Sequence, residues 1–421
     1  MLSREENERL TRVGPGTPMG ELLRRYRLPA ALSEELPEPD CPPVRVKLLG
    51  EELVAFRDTQ GRLGLLDEFC PHRRASLFLG RNEESGLRCV FHGWKFDVAG
   101  CCVDQPNEPP QFRFEDKVQL QAYPTLELGG VIWAYMGPPD KQPPAPGMEW
   151  LRAPDTHRYV SKTLEECSYL QGVEGGIDTV HSSFLHNNDL SDSSDFGQID
   201  TSPTLEVERT PYGFRYAGIR DIGERGNYVR IYQFVLPFHQ FRSSQLLKKG
   251  GQRARVPQNR GHMWVPMDDE NTMVFNWMHA VDEDRPFTPE LVEKYESNAG
   301  RGRNGETIIR QRTRANNWLI DREVQRTRTM TGIDGLNTQD LAAQESMGRI
   351  VDRSKEHLGS TDRAIIMMRR VLLDVLGDFE EGIEPLGLDP GTYRNVRATD
   401  VVLPKGVRWQ EAAEAELVAR R

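Results

Sequence analysis

Short apolar stretches separated by turn residues fill residues 41–136, and this pattern predicts a β-rich region of hairpins. Glycine and aspartate divide the stretches, as in the predicted turn Asp58–Gly61. The segment Val131–Tyr135 is apolar throughout and predicts a buried strand. The other strands predicted in this region are Val44–Leu49, Glu52–Arg57 and Arg62–Asp67.

Beyond residue 148 the chain mixes helical and strand periods. A helix is predicted where apolar residues recur at helical spacing over 170–184. Thr288 followed by Pro289 is typical of a helix start, because the threonine caps and the proline fits the first turn. A long helix is predicted over 361–376, and strands over 213–219, 228–236 and 272–279.

The proline-rich segment 138–147 is the strongest linker signal in the chain. A chain of 421 residues is also long enough for two domains. We therefore predict an N-terminal helical segment over 1–40, a β-rich domain over 41–147, and a catalytic domain that mixes helices and strands over 148–421.

The composition is that of a soluble globular protein, with 37% hydrophobic and 28% charged residues. No apolar run approaches the roughly 18 residues that span a bilayer. No apolar segment follows the charged N-terminus either, so a cytoplasmic location is expected. The net charge of −10 argues against a nucleic-acid partner, which requires a basic face.

Two short motifs each place one cysteine and one histidine at a predicted turn between strands. Cys70 and His72 form a C-x-H motif, and after sixteen intervening residues Cys89 and His92 form a C-x-x-H motif. In a Rieske [2Fe–2S] centre, two cysteines hold one iron and two histidines hold the other. The neutral histidines raise the reduction potential, which suits the transfer of single electrons.

A structural zinc site also takes two cysteines and two histidines. Such a site usually groups its cysteines together, whereas the two residue types alternate here, so the pattern favours the Rieske cluster. The remaining cysteines fit neither motif and are interpreted as packing or turn residues. They are Cys41, Cys101, Cys102 and Cys167.

A second metal signal lies downstream, where Asp178, His181 and His186 form a D-x-x-H-x-x-x-x-H pattern. Two histidines and one carboxylate form the facial triad that holds Fe(II) and leaves positions open for O₂. At about 100° per residue, the two histidines would lie about 140° apart on a regular helix and could not bind one metal. We therefore predict that the helix ends or bulges near Ser182–Ser183, as π-type distortions do at functional sites.

The third ligand must be a carboxylate from elsewhere in the chain. Asp340 is the first candidate, although an acid early in a predicted helix is also favoured by the helix dipole alone. Glu345, Asp352 and Asp362 are the alternatives.

Together these motifs resemble the Rieske non-haem iron oxygenase family, and in particular the oxygenase component of the phthalate 4,5-dioxygenase group and its aromatic-acid relatives. The resemblance runs over nearly the whole chain. Besides the two cluster motifs, it is carried by residues 11–20, 93–97, 177–186, 339–340 and 352–359.

The resemblance implies roles for three acidic residues. Asp340 matches the third iron ligand of the family. Asp178 matches the bridging aspartate, which joins a histidine of the mononuclear site, here His181, to a cluster histidine of the neighbouring subunit, here His92. Glu174 stands where many relatives carry asparagine, so its role is left open.

The resemblance also implies an α+β fold. A small β Rieske domain would precede a catalytic domain in which an antiparallel sheet wraps around a long helix, the helix-grip or START-like arrangement. It further implies a homotrimer, or a hexamer of two stacked rings. Because no glycine-rich nucleotide fingerprint opens a helix after a strand, a separate NAD(P)H-dependent reductase of the flavin and [2Fe–2S] type is expected to supply the electrons.

The segment 242–260 is basic and contains no acidic residue. Arginine binds carboxylates well, often through two parallel hydrogen bonds. A loop of this kind next to the pocket would bind an aromatic carboxylate, and Arg242 is the first candidate for that contact. A solvated loop, or a docking face for an acidic reductase, is the alternative.

Three functions remain open at this point. The chain could add two hydroxyl groups to a phthalate-like aromatic acid, or it could act as a monooxygenase that demethylates or hydroxylates once. It could also be an electron carrier without oxygen chemistry, but the His181, His186 and Asp340 constellation argues against a carrier.

Overall fold

The computed structural model describes residues 2–300 and 311–418. Contacts divide the chain into a small unit, Val13–Ala145, and a large unit, Met1–Arg12 together with Pro146–Arg421. The sequence suggested a division at 147/148 and a separate segment over 1–40. The first helix, α1 (Arg4–Thr11), instead belongs to the large unit, because Tyr169 donates a hydrogen bond to the buried Leu10 carbonyl (3.0 Å).

The small unit consists of antiparallel sheets with one helix, α2 (Pro18–Leu23). Its sheets have the strand orders β1-β10-β9, β2-β3-β4 and β5-β6-β7-β8. The strands are β1 (Arg27–Leu32), β2 (Val44–Leu48), β3 (Glu51–Arg57), β4 (Leu63–Asp67), β5 (Arg81–Glu83), β6 (Gly86–Arg88), β7 (Lys95–Phe96), β8 (Cys102–Asp104), β9 (Thr125–Leu128) and β10 (Val131–Tyr135).

The predicted buried strand is confirmed as β10, every residue of which is buried. Its neighbour β1 was not predicted, because Pro29 interrupts the strand pattern. The pairing of β1 with β10 is irregular between Pro29 and Ala31, as expected where a residue without a backbone N–H enters a sheet.

An eight-stranded antiparallel sheet forms the centre of the large unit, in the order β11-β17-β16-β15-β14-β13-β12, with β18 beside β14. Its strands are β11 (Arg158–Glu165), β12 (Thr204–Thr210), β13 (Gly213–Asp221), β14 (Asn227–Val235), β15 (His239–Leu246), β16 (Arg253–Pro266), β17 (Thr272–Ala280) and β18 (Thr399–Leu403). Its remaining helices are α3 (Glu149–Arg152), α4 (Tyr169–Ile177), α5 (Phe196–Ile199), α6 (Pro289–Ala299), α7 (Arg322–Thr327), α8 (Leu336–Ser346), α9 (Arg363–Glu380) and α10 (Trp409–Ala412).

The helices position the site against this sheet. Helix α4 packs on β15 and β16, α8 packs on α4, and α9 packs on β12 and β13. The predicted start of α6 is confirmed, since the Thr288 hydroxyl accepts a hydrogen bond from the Leu291 N–H (3.3 Å). The predicted long helix is α9, and the predicted α+β class with an antiparallel sheet and helices is confirmed.

Within the described residues, none of the helices is both long enough and apolar enough to cross a membrane.

Candidate metal centres and substrate cavity

The four predicted cluster residues lie on two loops of the small unit that share one backbone pattern. In the first loop, between β4 and β5, the Cys70 N–H donates to the Ala75 carbonyl (2.9 Å). The Arg74 N–H donates back to the Cys70 carbonyl (2.8 Å), and Arg74 adopts a left-handed conformation with φ of 59°.

The second loop, between β6 and β7, repeats this pattern. The Cys89 N–H donates to the Trp94 carbonyl (2.8 Å) and the Gly93 N–H to the Cys89 carbonyl (3.0 Å). Gly93 is left-handed with φ of 81°, and a Cβ there would lie 2.6 Å from Pro106. The two turns therefore have the same backbone hydrogen bonds, and each carries its cysteine at the first position of the turn.

The side chains of the two loops lie together. Cys70 and Cys89 are both 2% exposed. The His72 and His92 rings lie 4.4 Å apart between centroids, and His72 stacks on Trp94 at 4.6 Å. The His72 Nδ1 atom is buried and has no hydrogen-bond partner in the described part of the chain.

These observations fit a [2Fe–2S] cluster. Burial and the neighbouring Cys89 thiol raise the pKa of Cys70 to about 11, so the protein groups alone do not favour a thiolate. A bound metal ion inverts this preference and deprotonates the thiol. A cluster iron held by His72 would likewise supply the partner that its buried Nδ1 atom lacks among the described residues.

In the large unit, His181, His186 and Asp340 lie together. Their ligand atoms are all within 4.8 Å of one another. Asp340 Oδ1 lies 3.6 Å from His181 Nε2 and 3.1 Å from His186 Nε2, so both histidines present the same nitrogen to one carboxylate. The donor set is that of a facial triad.

The backbone around His181 explains how both rings reach one point. Helix α4 ends at Ile177, Asp178 is extended, and a 3₁₀ turn covers His181–Ser183. The prediction that no regular helix runs through 181–186 is confirmed. The predicted position of the break was wrong, because the helix ends five residues before Ser182 and no π-type bulge is involved.

Each histidine has a second partner on its other nitrogen. His181 Nδ1 lies 3.5 Å from Asp178 Oδ2, and His186 Nδ1 lies 2.8 Å from Gln339 Oε1. Gln339 is fully buried, and its amide nitrogen donates to Ile333 (2.8 Å) and Asn188 (2.8 Å). Such outer partners fix the tautomer that leaves Nε2 free for a metal.

The carboxylates around His181 also shift pKa values. Burial lowers the pKa of His181, but the hydrogen bond with Asp178 and the charge of Asp340 outweigh burial and raise it overall. For Asp178, burial is outweighed by its hydrogen bonds, so its pKa lies below the usual value. Asp178 is therefore an anion with one oxygen on the Val180 N–H (2.7 Å) and the other towards His181.

The alternative carboxylates for the third ligand are engaged elsewhere. Glu345 accepts hydrogen bonds from the Glu166 N–H (3.0 Å) and the Trp318 indole (3.1 Å). Asp352 caps the turn at Ser354, and Asp362 accepts from the Gly359 N–H. Among the four candidates, the structure brings Asp340 to the histidines.

Glu174, whose role the sequence left open, forms a buried ion network. Arg353 donates three hydrogen bonds of 2.8–3.1 Å to its carboxylate, and Arg369 donates a fourth of 2.7 Å. Arg353 also donates to Asn7 (2.9 Å) on α1, and the Glu174 carbonyl accepts from the Asp178 N–H (3.0 Å). The network therefore anchors the end of α4 from which Asp178 projects.

A cavity of about 1000 Å³ opens beside the histidines. It is lined by the sheet and by α4, α6 and α8, and includes Arg242. The prediction that Arg242 lies on a loop was wrong: Arg242 is in β15, directly opposite Arg260 in β16, and only the tip of this hairpin is a turn. Alternation along β15 places Gln240, Arg242 and Ser244 on the cavity face.

Comparisons with known proteins agree with this geometry. Residues 27–124 match the Rieske [2Fe-2S] domain model, and residues 134–420 match the model described as "LigXa C-terminal domain like". The chain is 39% identical to the phthalate 4,5-dioxygenase oxygenase subunit of Pseudomonas putida, over 98% of this chain and 94% of that protein. It is 37% identical to the 3-chlorobenzoate-3,4-dioxygenase oxygenase subunit of Comamonas testosteroni, over 98% of both chains.

More distant relatives include the 5,5'-dehydrodivanillate O-demethylase oxygenase subunit of Sphingobium sp., 34% identical over 94% of this chain and 86% of that protein. A solved structure, Pseudomonas putida CBB5 NdmA with caffeine, shares the fold at a TM-score of 0.62 and 18% identity, covering 92% of this chain and 99% of that chain. The two family models together span most of the chain, and the relatives above 30% identity cover nearly its full length. The chain is therefore the oxygenase component of a Rieske non-haem iron oxygenase, a family that carries a [2Fe–2S] cluster and a mononuclear iron.

Proposed function

We propose that the chain is a terminal oxygenase that cis-dihydroxylates a phthalate-like aromatic carboxylate. It would use O₂ and electrons from a separate NAD(P)H-dependent reductase of the flavin and [2Fe–2S] type. The observation that carries this proposal is a partly buried arginine, Arg242, which forms no ion pair within the described residues and lies on the wall of the cavity that holds His181, His186 and Asp340. The two relatives above 35% identity, named as dioxygenases of phthalate and chlorobenzoate, support an aromatic acid.

The geometry described above supports the proposed metal ligands. Cys70, His72, Cys89 and His92 would hold the cluster, and His181, His186 and Asp340 would hold the iron. When bound, the cluster supplies single electrons and the iron activates O₂ at its open positions. The protein contributes the placement of the substrate, the tautomers of the histidines and the shape of the cavity.

Arg242 is the proposed substrate contact. Within the described residues, no hydrogen bond or ion pair involves its guanidinium, and burial is the first cause that lowers its pKa. Arg260 stands directly across the strand pair, and like charges in this position destabilise a sheet. A substrate carboxylate would relieve both costs, because arginine binds it through two parallel hydrogen bonds.

Asp178 would hold the proton on His181 Nδ1 and so keep Nε2 available as a ligand. By the family resemblance, the same carboxylate would contact His92 of a neighbouring copy in a homotrimer or hexamer. His92 is partly exposed and lies next to Phe91, which is 52% exposed, so it is available to such a contact. We place this assembly in the cytoplasm.

A second reaction is favoured by a specific observation. One relative at 34% identity over most of both chains is named as the oxygenase subunit of an O-demethylase, so a related sequence serves O-demethylation. Removal of an O-methyl group from an aromatic acid is therefore the alternative function. An electron carrier without oxygen chemistry is disfavoured, because it would not need the His181, His186 and Asp340 set.

A single turnover separates these functions. The chemically reduced protein is mixed with phthalate, benzoate and their methoxy analogues, then exposed to ¹⁸O₂, and the products are analysed by mass spectrometry. Two labels in a cis-dihydrodiol support the dioxygenase. Formaldehyde with a phenolic product supports the demethylase. A separate metal analysis tests the carrier, since two rather than three irons per chain would support it.

A further inference from the structure

The turn that carries His181 is clamped from the side of the sheet by one buried arginine. Arg220, in β13, donates from Nη2 to the Thr179 carbonyl (3.2 Å) and to the Ser183 hydroxyl (3.2 Å). These acceptors lie two residues before and two residues after His181. One side chain therefore bridges both ends of the turn.

The environment of Arg220 is unusual for a charged group. Arg220 is 3% exposed, and in the described part of the chain no carboxylate pairs with it. Its Nε atom is buried without a hydrogen-bond partner. A buried cation that bonds only to neutral oxygens lowers the stability of the fold. Its position beside the turn that carries His181 therefore points to a functional role.

Arg220 does not line the cavity, so it does not contact the substrate space. Its bonds act instead on the residues that flank His181, through the Thr179 backbone carbonyl and the Ser183 side-chain hydroxyl. Asp178 restrains the His181 ring through Nδ1, and Arg220 restrains the turn beneath it. The two restraints act at different places, because one holds the His181 side chain and the other holds the residues on either side of His181.

We propose that Arg220 is a positioning residue that holds His181 in its metal-binding direction and thereby slows loss of the mononuclear iron. This inference rests on the proposed role of His181 as a ligand. Other contacts also hold the turn, namely Gln198 to the Ser183 carbonyl (2.7 Å) and Thr179 to the Tyr232 hydroxyl (2.6 Å). Removal of the guanidinium should therefore loosen the turn without unfolding it.

The test measures iron release from the full-length holoprotein to a ferrous chelator. The visible absorbance of the Rieske cluster serves as the internal standard. Arg220→Gln should release the mononuclear iron at least tenfold faster, in line with the 10- to 100-fold effects of outer partners at metal sites. Arg220→Lys should restore part of the retention, since an ammonium can still donate to one of the two oxygens.

Two control variants make the result decisive. Arg215→Gln, on the same strand but in an ion pair with Glu208 (2.7 Å), should release iron at the wild-type rate. His181→Ala should release iron fastest, and if it does not, the ligand assignment fails rather than the role of Arg220. Wild-type release from Arg220→Gln, with rapid release from His181→Ala, would overturn the proposal.

Ser183→Ala keeps the test available if Arg220→Gln does not fold. This variant removes one acceptor and nothing larger, and it should raise the release rate severalfold. Combined with Arg220→Gln it should add nothing further, because both changes remove the same bond. Unchanged release from Ser183→Ala would count against the proposal.

Discussion

Replacing Glu174 with glutamine tests the buried network at the end of α4. The substitution keeps the shape of the side chain and removes its charge. Arg369 would keep its paired hydrogen bonds to Glu356 (2.7 and 3.1 Å), whereas Arg353, fully buried, would keep only neutral acceptors, Asn7 and the new amide oxygen. The change therefore leaves one buried cation without its anion.

The cost of such a change is about 3–5 kcal/mol in the free energy of unfolding. For a domain of this size, each kcal/mol shifts the melting temperature by about 2–4 °C. We therefore expect Glu174→Gln to melt roughly 10 °C lower than the wild type. The measurement is thermal unfolding by circular dichroism at pH 7, at one scan rate, on preparations with equal Rieske absorbance.

Glu8→Gln is the matched control. Glu8 pairs with Arg12 on the surface, where the side chains are 57% and 41% exposed, and exposed pairs contribute less than about 1 kcal/mol. If Glu174→Gln and Glu8→Gln lower the melting temperature equally, the network is not the anchor described above. A double variant that also replaces Arg353 by methionine should recover part of the loss, because it removes the stranded charge.

The other expected outcomes concern the metal sites, the substrate and pH. Asp178→Asn should leave the iron content unchanged and lower turnover by about 100-fold, since it removes the anion beside His181; near-wild-type turnover would exclude the bridging role. Arg242→Ala should raise the KM for an aromatic carboxylate at least tenfold, the loss expected for a charged hydrogen bond of about 1.5–3 kcal/mol, while an unchanged KM would remove Arg242 from the pocket. Gln339→Leu deletes the acceptor for His186 Nδ1 and should weaken iron binding about tenfold in a competition with a chelator, with equal affinity refuting the orienting role. For Glu149, burial is outweighed by hydrogen bonds to Arg397 and His279, and the pKa falls to about 2. Because this folded-state pKa lies below the unfolded one, the contribution of Glu149 is present at neutral pH and is lost as the pH falls from about 4.5 to 2; acid titrations of wild type and Glu149→Gln that run parallel would contradict this.

The sequence was informative where short-range spacing determines the structure. The uninterrupted apolar run Val131–Tyr135 located β10, and the cap at Thr288 located the start of α6, because each signal depends on a few adjacent residues. The spacing of His181 and His186 also showed that a regular helix could not continue between them. It did not show where the helix ends, since apolar residues continue at helical spacing to Phe184.

The sequence alone did not identify which residues, distant along the chain, meet at the candidate site. Asp340 was the first candidate from the sequence, but the sequence alone could not exclude Glu345, because both are carboxylates within one predicted helix. The structure separates them through the partners each has found. Gln339 and Arg220 were missed as outer partners, because neutral amides and strand arginines carry no local metal signal. Arg242 was placed on a loop because a run of basic residues hides the strand alternation.

The matching turns around the Rieske cysteines have a consequence for sequence variation among related chains. At the left-handed position of the first loop the chain carries Arg74, so an L-residue is accommodated there. At the equivalent position of the second loop, any side chain would meet Pro106 at 2.6 Å, so Gly93 has no substitute while that proline stays. The backbone at position 74 can therefore accept other residues, most easily asparagine or aspartate, at the loss of the hydrogen bonds from Arg74 to Asp67 and Phe69. Position 93 should change only together with position 106.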